Sequence, residues 1–407
     1  MRFLKVTTFY DQYLRQFYRR HPLLPLEPFE RQRRRLLDDF FGWSDFYQHA
    51  LRPLGYDAHE LVINAEPLQR AWALEHGVPF PDADWAFEVA YHQVTRADPE
   101  ILFLDDTSTF PLPWIERVRA GCPSLRLVVG WSGAPSDHRG ALAAYDAVLS
   151  NVPEIVAALQ EAGKRTFHLH HAFEPRVLER IDAERAPTLG FTFVGQMVAG
   201  ADNHGERQRL LLRLAERTDI RIYSPSAGTS RRARLKRRVK PLLRPIAAAL
   251  DRLPLPGELR RRVPLPPADS PAYARAPELP EALRRRLHAP VFGLEMFQLL
   301  RNSRATFNCH IGASRRSASN MRLFEATGVG ACLVTDMKDN LASLFEPGEE
   351  VVTYESFEEC VEKVRWLAAN PDQAAAIGRK ARARTLRDHT YGQRAARLDE
   401  ILRELRG

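Results

Sequence analysis

The sequence is poor in cysteine and has no long apolar run. Its four cysteines form no C-x-x-C pair and no Cys/His cluster with zinc spacing, which argues against a disulfide scaffold or a zinc module. No apolar run reaches the roughly 18 residues of a membrane-spanning helix, and the N-terminal stretch MRFLKVTTFYDQYLRQFYRRHP lacks the apolar core of a signal peptide. We therefore expect a cytoplasmic protein with free thiols.

Positive charge is concentrated in one segment. The 407 residues are 44% apolar and 27% charged, as in globular proteins, and carry a net charge of +8. Residues 231–262 contain twelve Arg or Lys against Asp251 and Glu258, a net charge of +10, so the rest of the chain carries about −2. At about 150 residues per domain, the length predicts two domains.

Apolar strands alternate with amphipathic helices in both halves of the chain, which predicts an α/β fold of two tandem doubly wound, Rossmann-like domains facing across a cleft. The pattern is interrupted at 174–190 and restarts with FTFVG, HGERQRLLLRLAERT and DIRIYS. We expect an N-terminal domain at 1–185 and a second domain at 186–390 with a basic insertion at about 225–290. A C-terminal helix at 391–407 is expected to pack back toward the first domain.

The loop HIGASRRSASN joins a predicted strand to the predicted helix NMRLFEATG. This small, basic loop contains Gly312, Arg315 and Arg316 and suits a diphosphate, because a helix N-terminus attracts anions. Arg322 and Glu325 are three residues apart and share one helix face. Spacing leaves two interpretations open: Glu325 binds ribose hydroxyls, or the two residues form an ordinary surface salt bridge.

The continuation FEATGVGACLVTDMKDNLASLFEPGEEVVTYESFEECVEKV resembles the C-terminal signature of GT-B glycosyltransferases, in particular the group similar to spore-maturation glycosyltransferases. The resemblance covers about 290–395. It implies that Glu325, in the run Glu-Ala-Thr-Gly, binds the donor ribose, with the Asn320-x-Arg322 pair as the subgroup's own pattern. Ser317 stands where relatives usually carry a second Glu near the donor sugar.

The resemblance also implies roles in the second domain. Its first loop, within 193–211, would face the diphosphate through His204 and Arg207, and Tyr223 and Ser224 would lie near the base. Arg207 is equally well read as a solvated helix residue. We expect sugar transfer from a nucleotide sugar with retention, with the departing diphosphate stabilised by Arg207, Arg322 and loop amides, and with no metal or other cofactor.

Acceptor-side candidates follow the strands of the first domain, where ligands of such sheets bind. Three histidines in FHLHHAFEP suggest a metal, but His168 and His170 alternate along the predicted strand and no nearby carboxylate completes a ligand set. We expect cleft-lining or packed histidines, and among them His171 is the one expected to meet substrate and act as a catalytic residue. Asp84, in Asp-Ala-Asp, is read as a helix N-cap and not as a metal ligand. The acceptor-side candidates are Asp105, Asp106, Trp131, Ser132 and His171.

The basic segment 229–262 places apolar residues at helical spacing opposite its cations, although Pro241 and Pro245 interrupt the pattern. It could bind an anionic membrane surface on the inner face of the membrane, cover the donor site, or bind nucleic acid. Nucleic acid is the weakest of these, since 231–262 contains no aromatic residue to stack bases. The acceptor stays open between a glycan, a lipid-linked glycan and a protein. Ser317 and the lack of a nameable base also leave a non-catalytic GT-B scaffold as an alternative.

Overall fold

The computed structural model of the protein describes residues 1–134, 141–197, 205–225, 240–252, 279–310 and 312–407. Two compact units are present: Met1–Phe193 together with Val291–Gly407, and Val194–Pro290. Within these described ranges, no helix combines the length and apolar character needed to cross a membrane.

The first sheet has six parallel strands in the order β2-β1-β3-β4-β5-β6. Its central strands are buried at every position because helices cover both faces, which explains their continuous apolar sequences. The strands are β1 (Arg2–Thr7), β2 (Asp57–Val62), β3 (Ile101–Leu104), β4 (Leu127–Trp131), β5 (Ala147–Ser150) and β6 (Thr166–His168).

Eight helices in the described part of the chain accompany this sheet. They are α1 (Asp11–Arg20), α2 (Phe29–Leu37), α3 (Phe46–Leu51), α4 (Glu66–His76), α5 (Trp85–Ala97), α6 (Leu112–Gly121), α7 (Pro153–Glu161) and α8 (Val177–Arg180). One core cluster packs apolar residues of β1, β3 and β4 against α5 and α6, including Val6, Leu102, Val128, Val94 and Ile115.

The second half of the chain supplies a second set of parallel strands. In the larger unit, four of them lie in the order β12-β11-β10-β7. In the smaller unit, β8 pairs with β9. Their bounds are β7 (Leu189–Val194), β8 (Arg221–Tyr223), β9 (Leu287–His288), β10 (Ser303–Phe307), β11 (Cys332–Asp336) and β12 (Val352–Tyr354). The predicted α/β class with two doubly wound, Rossmann-like sheets is confirmed.

The helices of the second half include a long C-terminal pair. The last helix, α17 (Tyr391–Arg406), begins with a capping box formed by Thr390 and Gln393. It packs on α3, with the Tyr391 ring centroid 4.9 Å from that of Phe46. The helices are α9 (Gly205–Arg217), α10 (Arg244–Asp251), α11 (Glu281–Arg286), α12 (Gly293–Arg301), α13 (Met321–Gly328), α14 (Leu341–Leu344), α15 (Phe357–Ala369), α16 (Pro371–Asp388) and α17 (Tyr391–Arg406).

Several local expectations need correction. Asp84 does occupy the N-cap position of α5, but its backbone is left-handed (φ 56°) and its side chain makes no capping hydrogen bond. β6 ends at His168, so His170 and His171 lie beyond the strand and do not continue its alternation. Of the basic segment, 229–239 and 253–262 lie outside the described residues, and only a 3-10 turn at Lys240–Leu243 and α10 are described.

Candidate functional site

The start of α13 is fixed by Asn320. Its side-chain oxygen accepts a hydrogen bond of 3.3 Å from the Leu323 N–H, which makes it the helix N-cap. Its Nδ2 atom donates to Asn308 Oδ1 over 2.7 Å, at the end of β10. Asn320, predicted to bind the donor, therefore positions the helix on the sheet.

Arg322 and Glu325 form an ion pair, with 2.9 Å between Nη1 and Oε2. The pair is not on the surface, since the two side chains are only 17% and 9% exposed. Burial raises the pKa of Glu325, and the charge of Arg322 opposes this shift. The Arg322 Nε atom is buried with no hydrogen-bond partner in the described part of the chain. The salt bridge that spacing allowed therefore exists, but it is largely buried and does not lie on the surface. Ribose binding by Glu325 stays a prediction.

The loop before α13 is held in place by the side chain of Asn340. Asn340 Oδ1 accepts from the Ala318 N–H over 2.6 Å, and Asn340 Nδ2 donates back to the Ala318 carbonyl over 3.1 Å. Gly312 begins a short 3-10 turn, and Ser317 is buried. The guanidinium of Arg316 pairs with Asp339 at 2.8 Å in an exposed position. Arg316 is therefore paired on the surface, and Asn340 anchors the loop through its two hydrogen bonds to Ala318.

A second set of polar residues, which the sequence analysis did not predict, lies at the ends of the neighbouring strands β10 and β11. His310 follows β10, and its Nδ1 atom lies 2.7 Å from Oδ1 of Asp336, the last residue of β11. Lys338 Nζ lies 3.0 Å from Asp336 Oδ2. Although burial opposes the shift, the His310 hydrogen bond and the Lys338 charge hold the pKa of Asp336 well below its usual range. The His310 Nε2 atom is buried and has no partner among the residues described. In the sequence, only the position of these residues at the ends of predicted strands could have pointed to them.

Two further residues that were not predicted join the first sheet to this loop. Asn151, directly after β5, donates from Nδ2 to the Ser319 carbonyl over 2.7 Å. Glu154, in α7, accepts from the Arg316 N–H over 3.1 Å. The Asn151 Oδ1 atom and the Glu154 Oε2 atom are buried without a hydrogen-bond partner in the described ranges. The loop between β10 and α13 is thus clamped from the carboxyl edge of the first sheet.

The three histidines of the FHLHHAFEP segment lie beside this contact. His168 Nε2 donates to the Asn151 carbonyl over 3.3 Å, and the His168 and His170 rings are 4.2 Å apart. Burial lowers the pKa of His171 to about 3, aided by the charge of Arg394, which donates to the His171 carbonyl over 3.1 Å. In the described part of the chain, no three His, Cys, Asp or Glu side chains are grouped to hold a metal ion.

The acceptor-side candidates cluster at the carboxyl ends of β3 and β4. Asp105 accepts a hydrogen bond from the Thr7 hydroxyl and lies 3.9 Å from Lys5 Nζ. Burial raises its pKa to about 6, although Lys5 and Thr7 oppose the shift. The Asp106 carboxylate instead accepts from the Ser108 N–H over 2.9 Å and so shapes its own loop.

The aromatic part of this cluster is packed tightly. Trp131 is 4% exposed, and its ring centroid lies 4.6 Å from that of Trp43 and 5.2 Å from that of His171. Ser132, the next residue, is also buried and accepts at its carbonyl from Ser150 Oγ over 2.7 Å. Trp131, Ser132, Asp105 and His171 are therefore brought together at one sheet edge.

The other donor candidates belong to the smaller unit. Arg207, in α9, donates from Nη1 to the Gln196 carbonyl over 3.4 Å. Tyr223 ends β8 and stacks on His288 at 4.9 Å, and Ser224 is buried with Oγ accepting from the Met197 N–H. His204 lies outside the described residues.

Solved structures of low sequence identity share this fold over nearly the whole chain. An alpha-glucosyltransferase in complex with UDP and a 13-mer DNA containing an HMU base has a TM-score of 0.56 at 11% identity, covering 98% of this chain and 99% of its own. HepE from Anabaena, in complex with UDP and glucose, has a TM-score of 0.54 at 11% identity, covering 99% and 100%. Sucrose-phosphate synthase from Thermosynechococcus elongatus has a TM-score of 0.51 at 11% identity, covering 100% and 99%. The fold is that of the GT-B enzymes.

Residues 207–400, which include α13 and its anchored loop, match the family model described as "Glycosyl transferase-like". No curated protein is significantly similar to the chain in sequence. The family match over residues 207–400 and the shared fold support the resemblance to GT-B glycosyltransferases noted in the C-terminal half of the chain.

Proposed function

We propose that the protein transfers a glycosyl group from a nucleotide sugar to an acceptor hydroxyl. The observation that carries the proposal is the buried Arg322–Glu325 pair, 2.9 Å apart, in the segment that matches the glycosyl transferase-like family. A buried carboxylate is a strong acceptor for ribose hydroxyls. The Arg322 guanidinium, whose Nε has no hydrogen-bond partner among the described residues, suits a phosphate oxygen.

The donor would bind mainly through the second half of the chain. We assign ribose to Glu325 and phosphate to Arg322, with Gly312, Ser317 and Asn320 belonging to the anchored loop. His204, Arg207, Tyr223 and Ser224 complete the proposed donor set. Catalysis would depend on stabilising the departing diphosphate with Arg207, Arg322 and loop amides, with retention at the anomeric carbon and no bound metal.

The acceptor would bind at the carboxyl edge of the first sheet. Asp105 can accept a hydrogen bond from an acceptor hydroxyl, and Trp131, Ser132 and His171 surround the same edge. Asp106 supports the adjoining loop. The acceptor is a glycan, a lipid-linked glycan or a protein. The basic segment 229–262 would hold the enzyme at an anionic cytoplasmic membrane surface, each nearby cation contributing about 1 kcal/mol.

Thermal unfolding with UDP-, GDP- and ADP-sugars tests the proposal. One of the three nucleotide sugars should raise the melting temperature of the wild type. Glu325→Ala should weaken the binding of that nucleotide sugar about tenfold or more, because a charged hydrogen bond contributes about 1.5–3 kcal/mol. Glu349→Ala is the control, since Glu349 is an exposed carboxylate paired with Lys380. Absence of any wild-type shift would contradict nucleotide-sugar binding, and binding without turnover would favour a non-catalytic scaffold.

A further inference from the structure

A groove on the first half of the chain exposes leucine side chains to solvent. The groove has a volume of about 710 Å³ and lies between the 3-10 turn Leu24–Leu26 and the helix α4. Leu26 and Leu74 line it, with 83% and 85% of their surface exposed, more than any other large apolar side chain in the part of the chain that the structure describes. Large apolar side chains exposed side by side mark an interaction site.

The helix α4 carries apolar residues on two faces. Its inner face contributes Leu68, Trp72 and Ala73 to the core. This face is sufficient to pack the helix on its own domain, so the outer face is available to a partner. The outer face lines the groove with two rows of residues spaced four apart, namely Glu66, Arg70 and Leu74 in one row and Pro67, Ala71 and Glu75 in the other.

The charges around the groove disfavour an anionic membrane as the partner. Three carboxylates line the groove, those of Glu27, Glu66 and Glu75, against the single guanidinium of Arg70. Arg70 pairs with Glu66 at 2.9 Å. Glu75 accepts a hydrogen bond of 2.7 Å from the Phe29 N–H, which carries no net charge to balance the carboxylate. Such a surface repels anionic lipid and favours a partner that brings a cation to Glu75.

The outer face of α4 is complementary to a second copy of itself. In a homodimer with a two-fold axis, the two α4 helices can meet in antiparallel orientation. If the axis passes midway between Ala71 and Leu74, each Leu74 lies against Ala71 of the other copy, so that a large side chain meets a small one. The same register sets each Arg70 opposite Glu75 of the other copy. Sliding one helix by about one turn would instead set Glu66 opposite Glu75, so charge selects the first register.

We propose that the face formed by α4 and the turn Leu24–Leu26 is the interface of a homodimer, in which a second copy of the chain covers Leu26 and Leu74. The leucines supply the apolar contact, and the Arg70–Glu75 pairs fix the orientation of the two copies. One helix and one turn from each copy make a small interface, so we expect a reversible dimer and not an obligate one. The inference goes beyond the proposed function and does not depend on it.

Sedimentation velocity over a wide range of protein concentrations measures the association. The wild type should pass from monomer to dimer, with a mass approaching twice the 46.4 kDa of the chain. Leu74→Glu should weaken association about a hundredfold or more, because a two-fold interface loses the same contact twice. Leu54→Glu is the matched control and should associate as the wild type does, since Leu54 is also exposed but does not line the groove.

Charge reversal tests the register of the two helices. Arg70→Glu and Glu75→Arg each set like charges opposite one another, and each should weaken the dimer about tenfold. The double variant Arg70→Glu/Glu75→Arg again sets opposite charges across the interface and should recover wild-type association. Thermal unfolding verifies that each variant is folded, because Glu75 also holds the Phe29 N–H.

A wild type that stays monomeric at every concentration would overturn the proposal and leave the groove to a partner of different sequence. Dimers that survive Leu74→Glu would overturn it as well, because the interface would then lie elsewhere on the protein. A double charge reversal no better than the single ones would overturn the antiparallel register.

Discussion

The ring of Phe173 lies against Gly328 so closely that a Cβ atom on Gly328 would be 2.2 Å from Phe173 Cγ. Phe173 belongs to the segment that follows β6, and Gly328 is the last residue of α13. The Phe173 N–H also donates to the His389 carbonyl over 2.9 Å. The lack of a side chain at Gly328 thus lets α13, the helix that carries the Arg322–Glu325 pair, pack directly against Phe173.

We expect Gly328→Ala to lower the free energy of unfolding by about 1–3 kcal/mol, because the aromatic ring has to move out of a filled core. The helix propensity of alanine alone would act in the opposite direction by about 1 kcal/mol. Urea unfolding measures the change, with Gly392→Ala as the helical glycine control. Equal stability of wild type and Gly328→Ala would contradict the contact.

The ion pair between Lys5 and Glu60 lies buried under the acceptor-side cluster. Burial raises the pKa of Glu60 to about 8, against the effect of Lys5. Lys5→Met removes the cation that satisfies this carboxylate and should cost about 3 kcal/mol of unfolding free energy. The double variant Lys5→Met/Glu60→Leu should recover most of the loss, as urea unfolding would measure. A double variant no more stable than Lys5→Met would show that charge compensation is not the reason.

Buried histidines should make stability fall with acid. Burial lowers the pKa of His389 from 6.5 to about 4, with Arg394 and Arg384 adding to the shift and the Leu344 carbonyl and Asp388 opposing it. Because the unfolded chain binds a proton below pH 6.5 and the folded one does not, this contribution is complete above pH 6.5. It is lost as the pH falls toward 4, at about 1.4 kcal/mol per pH unit.

Urea unfolding between pH 7.5 and 4.5 measures this slope, and His389→Gln should reduce it. The glutamine can still donate to the Leu344 carbonyl that His389 Nε2 contacts at 2.9 Å. Carboxylates that titrate in the same range contribute equally to both proteins and cancel in the difference. His59→Gln is the control, since His59 is exposed. An unchanged slope in His389→Gln would disprove the assignment.

Arg322 and Glu325 should differ in which part of a nucleotide they hold. If UDP is the nucleotide identified, Arg322→Gln should weaken the binding of UDP about tenfold and that of uridine less than twofold. The reason is that only UDP offers a phosphate group to the guanidinium. Glu325→Gln should weaken both, because both contain ribose. Calorimetry with the two ligands gives the comparison. An equal loss of affinity for UDP and for uridine in Arg322→Gln would contradict a role for Arg322 in binding phosphate.

Local pattern was sufficient for most of the fold. The runs FTFVG and DIRIYS, from which a second set of strands was predicted, overlap β7 and β8, because short apolar runs between helical patterns are typical of parallel strands. The two-residue strand β9 was missed, since a stretch so short has no periodicity to read. The loop before α13 was located by its small residues, but its anchoring by Asn340 was not foreseen.

The sequence by itself determined the α/β class, the restart of the strand pattern near the middle of the chain, and the helix that brings Arg322 and Glu325 to one face. Those features depend on residues within a few positions of each other. Only the tertiary structure decided that this ion pair is buried and that Asn151 reaches Ser319. Such contacts join residues far apart in the chain, and parallel sheets create them by bringing the carboxyl ends of separate strands to one edge.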